Sequence, residues 1–170
     1  MKEATLSSND RAFVVTTIGE GQRVDGRQFM DLRKIGIVFG EAWGQVEVSF
    51  GTTRVLAQTS CEVVAPAAEA RPTEGKISYN VELSPMAAPS FEAGRPSPLA
   101  IEVKRIVERG LKECRAVDCE SLCIVAGEKV WAVRVDVHVL DHGGNLVDAA
   151  ALAALASIVH FKRPHVDVIG

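Results

Sequence analysis

Residues 130–159 read VWAVRVDVHVLDHGGNLVDAAALAALASIV, a strand, a turn and a helix in that order. From Val130 to Leu140, residues Val133, Val135, Val137 and Val139 fall on one face and Arg134, Asp136 and His138 on the other. That period of two belongs to a strand with one buried side. Asp141-His142-Gly143-Gly144 then breaks the alternation. Leu146 to Val159 is apolar nearly all round, which predicts a buried helix whose many alanines let it approach neighbouring backbone closely. Asn145 is placed to cap it, with Asp148 three residues on.

Upstream the alternation recurs. Val46, Val48 and Phe50 point one way and Gln45, Glu47 and Ser49 the other, with Gly40 and Gly51-Thr52 marking turns. Three antiparallel strands are expected, at about 35–39, 44–50 and 53–63, with a fourth from Ile77 to Leu83 after the loop APAAEARPTEG. Beyond a connection holding Pro85, Pro89, Pro96 and Pro98, the residues Leu99, Val103, Ile106, Val107, Gly110 and Cys114 recur at helical spacing and should pack on the sheet. The opposite side carries Glu102, Arg105, Glu108, Arg109 and Lys112, which read first as a solvated face with ordinary ion pairs. A hairpin turning near Gly127-Glu128 leads into the long strand. Residues 1–26 form an N-terminal arm with a short helix from about Asn9 to Ile18, capped by Ser8 or Asn9. Pro164 stops the last helix, and Val166 to Ile169 resembles the start of another strand. The order β-β-β-β-α-β-β-α-(β) is an α+β sheet with helices on one face, and it reads as C-terminally incomplete.

Composition narrows the function. The 170 residues, 47% apolar and 24% charged, fit one domain with a substantial core. No apolar run long enough to cross a membrane is present, and the polar start KEATLSSND is unlike a secretion signal, so an intracellular protein is expected, with no membrane partner. Cys61, Cys114, Cys119 and Cys123 are too few and too irregularly spaced for a disulfide framework or a zinc knuckle. Asp136, His138, Asp141 and His142 lie close in sequence, but in a strand only Asp136 and His138 share a face, so no metal site is expected. There is no phosphate-cradling loop or dinucleotide fingerprint, and no cofactor is expected. A net charge of −3 and few aromatic residues argue against a third reading, a free-standing RNA-binding module, so any RNA contact must be local or shared with partners.

One ordered set of segments is more specific. Arg23-Val24-Asp25-Gly26-Arg27 precedes the strands, followed by Gly94-Arg95-Pro96-Ser97, by Glu102-Val103-Lys104-Arg105, and by the Val-rich strand running into Gly143-Gly144. This set resembles the RNase PH family. The stretches TEGKISYNVELSPMAAPSFEAGRPS and DCESLCIVAGEKVWAVRVDVHVLDHGGNLVDAAALAAL are similar to ring subunits of the eukaryotic RNA exosome of the PM/Scl autoantigen type. The resemblance runs from about Met1 to Gly170. It implies an RNase PH-like fold (ribosomal protein S5 domain 2-like) of two related halves, with residues 27–170 holding the first half and part of the second.

The resemblance also implies where chemistry would sit. Phosphorolysis needs an inorganic phosphate held by backbone NH groups at a helix N-terminus and by cationic side chains. Active members place Gly-Thr-Arg where this chain has Gly144-Asn145-Leu146, and Leu99 stands where their first long helix brings an Arg. A leucine supplies neither charge nor donors. The expected function is therefore a non-catalytic ring subunit that scaffolds the exosome and contacts RNA through Arg95, Arg105 and Arg109, while Arg27 supports the fold. Its partners would be RNA, other RNase PH-like subunits in a hexameric ring, cap subunits and an associated hydrolytic nuclease, in nucleus, nucleolus and cytoplasm. The rival reading, an active phosphorolytic exoribonuclease, is opposed by the Gly143–Leu146 turn.

Overall fold

In the computed structural model, which describes residues 7–66, 71–92, 94 and 97–168, the Val-rich segment is the spine of a mixed sheet. The elements are α1 (Ser8–Gly19), β1 (Ile35–Phe39), β2 (Gln45–Phe50), β3 (Thr53–Val64), β4 (Lys76–Leu83), α2 (Pro98–Glu113), β5 (Cys123–Val125), β6 (Lys129–Asp141) and α3 (Leu146–His160). The sheet runs β1-β2-β3-β6-β4, with β5 paired to the start of β6. β1, β2 and β3 form an antiparallel meander, β3 pairs antiparallel with β6, and β4 pairs parallel with β6. A parallel neighbour needs a crossover, and α2 supplies it.

The period of two decides which side is core. Val55, Ala57 and Thr59 lie opposite Val139, Val137 and Val135, with Val46 and Val48 beside them on β2 and Val81 and Leu83 on β4. All are buried, and α2 and α3 pack on this face, as expected of helices on one side of the sheet. Ala149, Ala150, Ala153 and Ala154 are each 0% exposed, so the small residues of α3 form the surface pressed into the core. The opposite face stays polar: Asp136 accepts from Arg134 Nε at 2.6 Å and from Asn80 Nδ2 at 3.3 Å, and His138 Nδ1 lies 3.2 Å from Glu82.

Several local expectations are corrected. Ala100, Val103, Val107 and Leu111 form the buried stripe of α2, so the packed face is rotated from the one read in sequence. Ile106, Gly110 and Cys114 are exposed and Leu99 is half-buried. The period was right and its phase was not, because β4 and α3 together select the face. Ser7, with Asp10, forms the capping box of α1, in place of Ser8 or Asn9. Asn145 adopts a left-handed backbone, φ 53°, and makes no side-chain cap. Residues 166–168 take no place in the sheet, and Ile169 lies outside the described residues. α3 is not buried all round either: Leu155 is 41% and Val159 77% exposed, since the sheet and α2 cover only part of its circumference.

One buried polar chain ties three elements together. Ser157 of α3 donates to the carbonyl of Gly44 and shares a 2.6 Å hydrogen bond with Thr59 of β3. Gly44 has φ +86°, and a Cβ there would meet Thr59 O at 2.7 Å, so the β1–β2 turn can approach the sheet only as glycine. Ser157→Ala leaves the Thr59 hydroxyl without its buried partner and should cost about 1–3 kcal/mol. Gly44→Ala adds backbone strain to a steric clash and should cost more. Urea unfolding of the two variants measures both, and a Gly44→Ala protein as stable as the parent would refute this account of the turn.

Candidate functional site

The turn between β6 and α3 is where the sequence placed the phosphate-binding chemistry. It is held from two directions. Thr53 at the start of β3 donates through Oγ1 to Gly144 O at 2.7 Å and accepts from the Gly143 N–H at 3.0 Å. Arg33 reaches from the segment before β1 and donates Nη1 to the same Gly144 carbonyl at 3.0 Å. A Cβ on Gly143 would overlap the Thr52 hydroxyl and Gly144 has φ +92°, so packing demands the first glycine and backbone conformation favours the second.

The positions beside this turn face other tasks. Leu146 is 5% exposed and belongs to the main core; Leu99, half-buried, packs against the same core. Asn145 is exposed and donates Nδ2 to Asp148 Oδ2 at 2.8 Å. The first turn of α3 therefore carries its own carboxylate, the charge that a helix N-terminus favours. The nearest named cation, Arg33, is engaged with a carbonyl. The side chains here form no cluster of free cations among the described residues, while the first-turn N–H groups of α3 receive no side-chain cap.

The three arginines expected to meet RNA fare differently. Arg95 lies outside the described residues. Arg105 is exposed on α2 and, with Pro98, Ile101, Glu102 and Ile106, lines a shallow hollow of about 610 Å³. It makes no ion pair among the described residues, whereas Arg109 is paired with Glu113 at 2.8 Å. Ser97 caps α2 by accepting from Ala100 N at 3.1 Å and Pro98 occupies the first turn, so the helix start is set by local sequence. Arg27 bonds the Asp25 carboxylate at 2.7 Å and the Asp31 carbonyl at 2.9 Å, closing the turn it was expected to support. The Arg27 hydrogen bond holds the Asp25 carboxyl below the usual carboxylate range.

A larger hollow of about 1240 Å³ opens between β4, α2 and the 115–120 connection, rimmed by Glu74, Lys76, Lys112, Arg115 and Asp118. Burial pushes the Cys119 thiol on its wall upward, against a role as nucleophile. Among the described residues no group of three His, Cys, Asp or Glu could hold a metal, and no helix is long and apolar enough to cross a membrane.

Comparison with known proteins bears on the turn and its scaffold together. The profile of the 3′ exoribonuclease family, domain 1, matches residues 31–164. The chain belongs to the RNase PH family. Among its RNase PH relatives, the human protein named Exosome complex component RRP45 is 51% identical over 170 residues, covering 100% of this chain and 38% of that protein. The Schizosaccharomyces pombe protein of the same name is 46% identical over 164 residues, 96% of this chain and 56% of its own length. The chain thus spans well under two thirds of these relatives. A solved structure of the Archaeoglobus fulgidus exosome with RNA bound to the active site superposes with a TM-score of 0.84 at 42% identity, over 91% of this chain and 61% of that one. The mixed sheet with two helices on one face is the RNase PH fold.

Sequence reading missed Arg33 and Thr53, which brace the turn across 111 and 91 residues of chain. Neither sits in a motif, and only the pairing of β3 with β6 brings Thr53 there. Arg33→Ala should speed hydrogen exchange at residues 143–147 by roughly tenfold, the equivalent of ~1.5 kcal/mol for a hydrogen bond with one charged partner. Arg27→Ala should leave those amides unchanged, and equal protection in parent and Arg33→Ala would remove Arg33 as a brace.

Proposed function

We propose that this protein is a ring subunit of the RNA exosome that scaffolds the assembly and contacts RNA without performing phosphorolysis. The observation carrying the reading is the Gly143–Leu146 turn: Leu146 is core, and Asn145 is occupied with Asp148. Transition-state charge on a transferring phosphate needs fixed donors and cations, and this arrangement offers a carboxylate instead. The exosome naming of relatives at 51% and 46% identity, together with the archaeal exosome likeness, supports the ring role.

On this reading the protein binds other RNase PH-like subunits in a six-membered ring, beneath cap subunits and with a hydrolytic nuclease attached, and it works in nucleus, nucleolus and cytoplasm. RNA passes Arg95, Arg105 and Arg109, which engage phosphate oxygens without reading sequence. Supporting this path, Arg105 is exposed with no ion pair among the described residues.

The test is a ring reconstituted with the full-length protein as its only candidate phosphorylase. It should release no nucleoside diphosphates from RNA in phosphate buffer; phosphate-dependent release would establish the rival, catalytic reading. In the same ring, Arg105→Ala should weaken RNA binding and lower the salt slope by about 0.7, one phosphate contact on a single strand. Arg109→Ala should do less, because Glu113 already neutralises that guanidinium. Identical affinity and slope for Arg105→Ala would remove it from the RNA path.

A further inference from the structure

A second group of residues, unconnected with the turn, gathers at the other end of α3. Trp43 stands in the β1–β2 turn and is 54% exposed, and Phe39, at the end of β1, is 56% exposed. The His160 ring lies between them, 5.0 Å from Phe39 and 5.2 Å from Trp43 by ring centroids. Its Nδ1 accepts from the Gly44 N–H at 3.3 Å, so in the neutral ring the proton sits on Nε2 and the imidazole is held at a fixed angle. Lys162 Nζ sits 4.1 Å over the Trp43 ring and has no ion pair among the described residues. Arg163 follows it, fastened to Ser121 O at 2.7 Å, and Glu41 is the acidic residue of the same turn.

The chemistry of this group is specific. Flat aromatic surface beside a mobile ammonium offers a π-face for a base and a counter-charge for its phosphate, the pairing by which single-stranded nucleic acid is held without sequence preference. A cation over a ring at an exposed site is weakly held, so Lys162 can move from Trp43 to a phosphate at little cost. The other tryptophan, Trp131, is 5% exposed and serves the core, which leaves Trp43 as the accessible indole of the chain.

We propose that Trp43, with Phe39, His160 and Lys162, forms a stacking site for single-stranded RNA, separate from the β6–α3 turn. The 15 residues of α3 put the two about 22 Å apart. The inference rests on the reading of this protein as an RNA-contacting subunit, and it adds a contact outside the family's reaction centre. A protein segment laid over Phe39 and the neighbouring Ile37 is the competing occupant.

The experiment uses a reconstituted ring containing the full-length protein and an oligouridylate of about fifteen nucleotides carrying iodouridine, more than enough to cover 22 Å at a stacked rise of about 3.4 Å. Photocrosslinking and mass spectrometry should find the peptide bearing Trp43 joined to RNA. Trp43→Leu should abolish that crosslink and weaken affinity roughly fivefold, as expected for one stacked base. Trp43→Phe should retain most of the affinity, and Lys162→Gln should flatten the salt dependence. A ring that binds RNA with no crosslink at Trp43, or with unchanged affinity in Trp43→Leu, overturns the proposal. So does Trp43→Leu failing to assemble while the parent shows no crosslink, which would assign the patch to a protein partner. A parent ring that binds no RNA at all would instead sink the broader reading.

Discussion

The antiparallel pairing of β3 with β6 is the constraint on which the rest depends. It joins a local meander to a helical crossover, runs from Arg54–Asp141 to Val64–Val130, and aligns Val55 and Ala57 with Val139, Val137 and Val135 on one side. A slip of one residue would turn every one of those side chains to the polar face. It also carries Thr53 to the Gly143–Gly144 turn, so the geometry of the turn is a product of sheet register.

Core and site compete for the same positions. Leu99 and Leu146, the positions at which the family resemblance places guanidinium groups in a phosphate-handling member, both join the apolar interior in this chain. The first turn of α3 is meanwhile stabilised by Asp148, so the helix end gains from its own sequence what a bound anion would otherwise contribute. On the proposed reading, scaffolding and catalysis ask different things of one turn, and the residues present suit the first.

Much of the fold is legible in the sequence because strand alternation leaves little freedom: β1 to β4 and β6 fall within a residue or so of the expected spans. Helix phase is harder. A stripe at helical spacing gives the period of α2, but Ile106 and Val107 compete for the inward position, and contact with β4 and α3 settles it. The site divides similarly. The Gly143–Leu146 turn is singled out by the family resemblance because its residues are contiguous, although the cap expected of Asn145 is absent. Arg33, Gly44 and Ser157 are not legible, since each acts through partners about a hundred residues away that no local pattern announces.

The central pairing also imposes an order in time. During synthesis β1, β2 and β3 emerge first, and β6 and α3 follow only after the crossover. At about 5–20 residues per second, the interval between Val64 and His160 is roughly 5–19 s. Throughout it Val46, Val48, Val55 and Ala57 have no cover, and the free edge of β3 has no partner. The nascent meander is therefore a transient sticky surface, open to aggregation until β6 and α3 have been made.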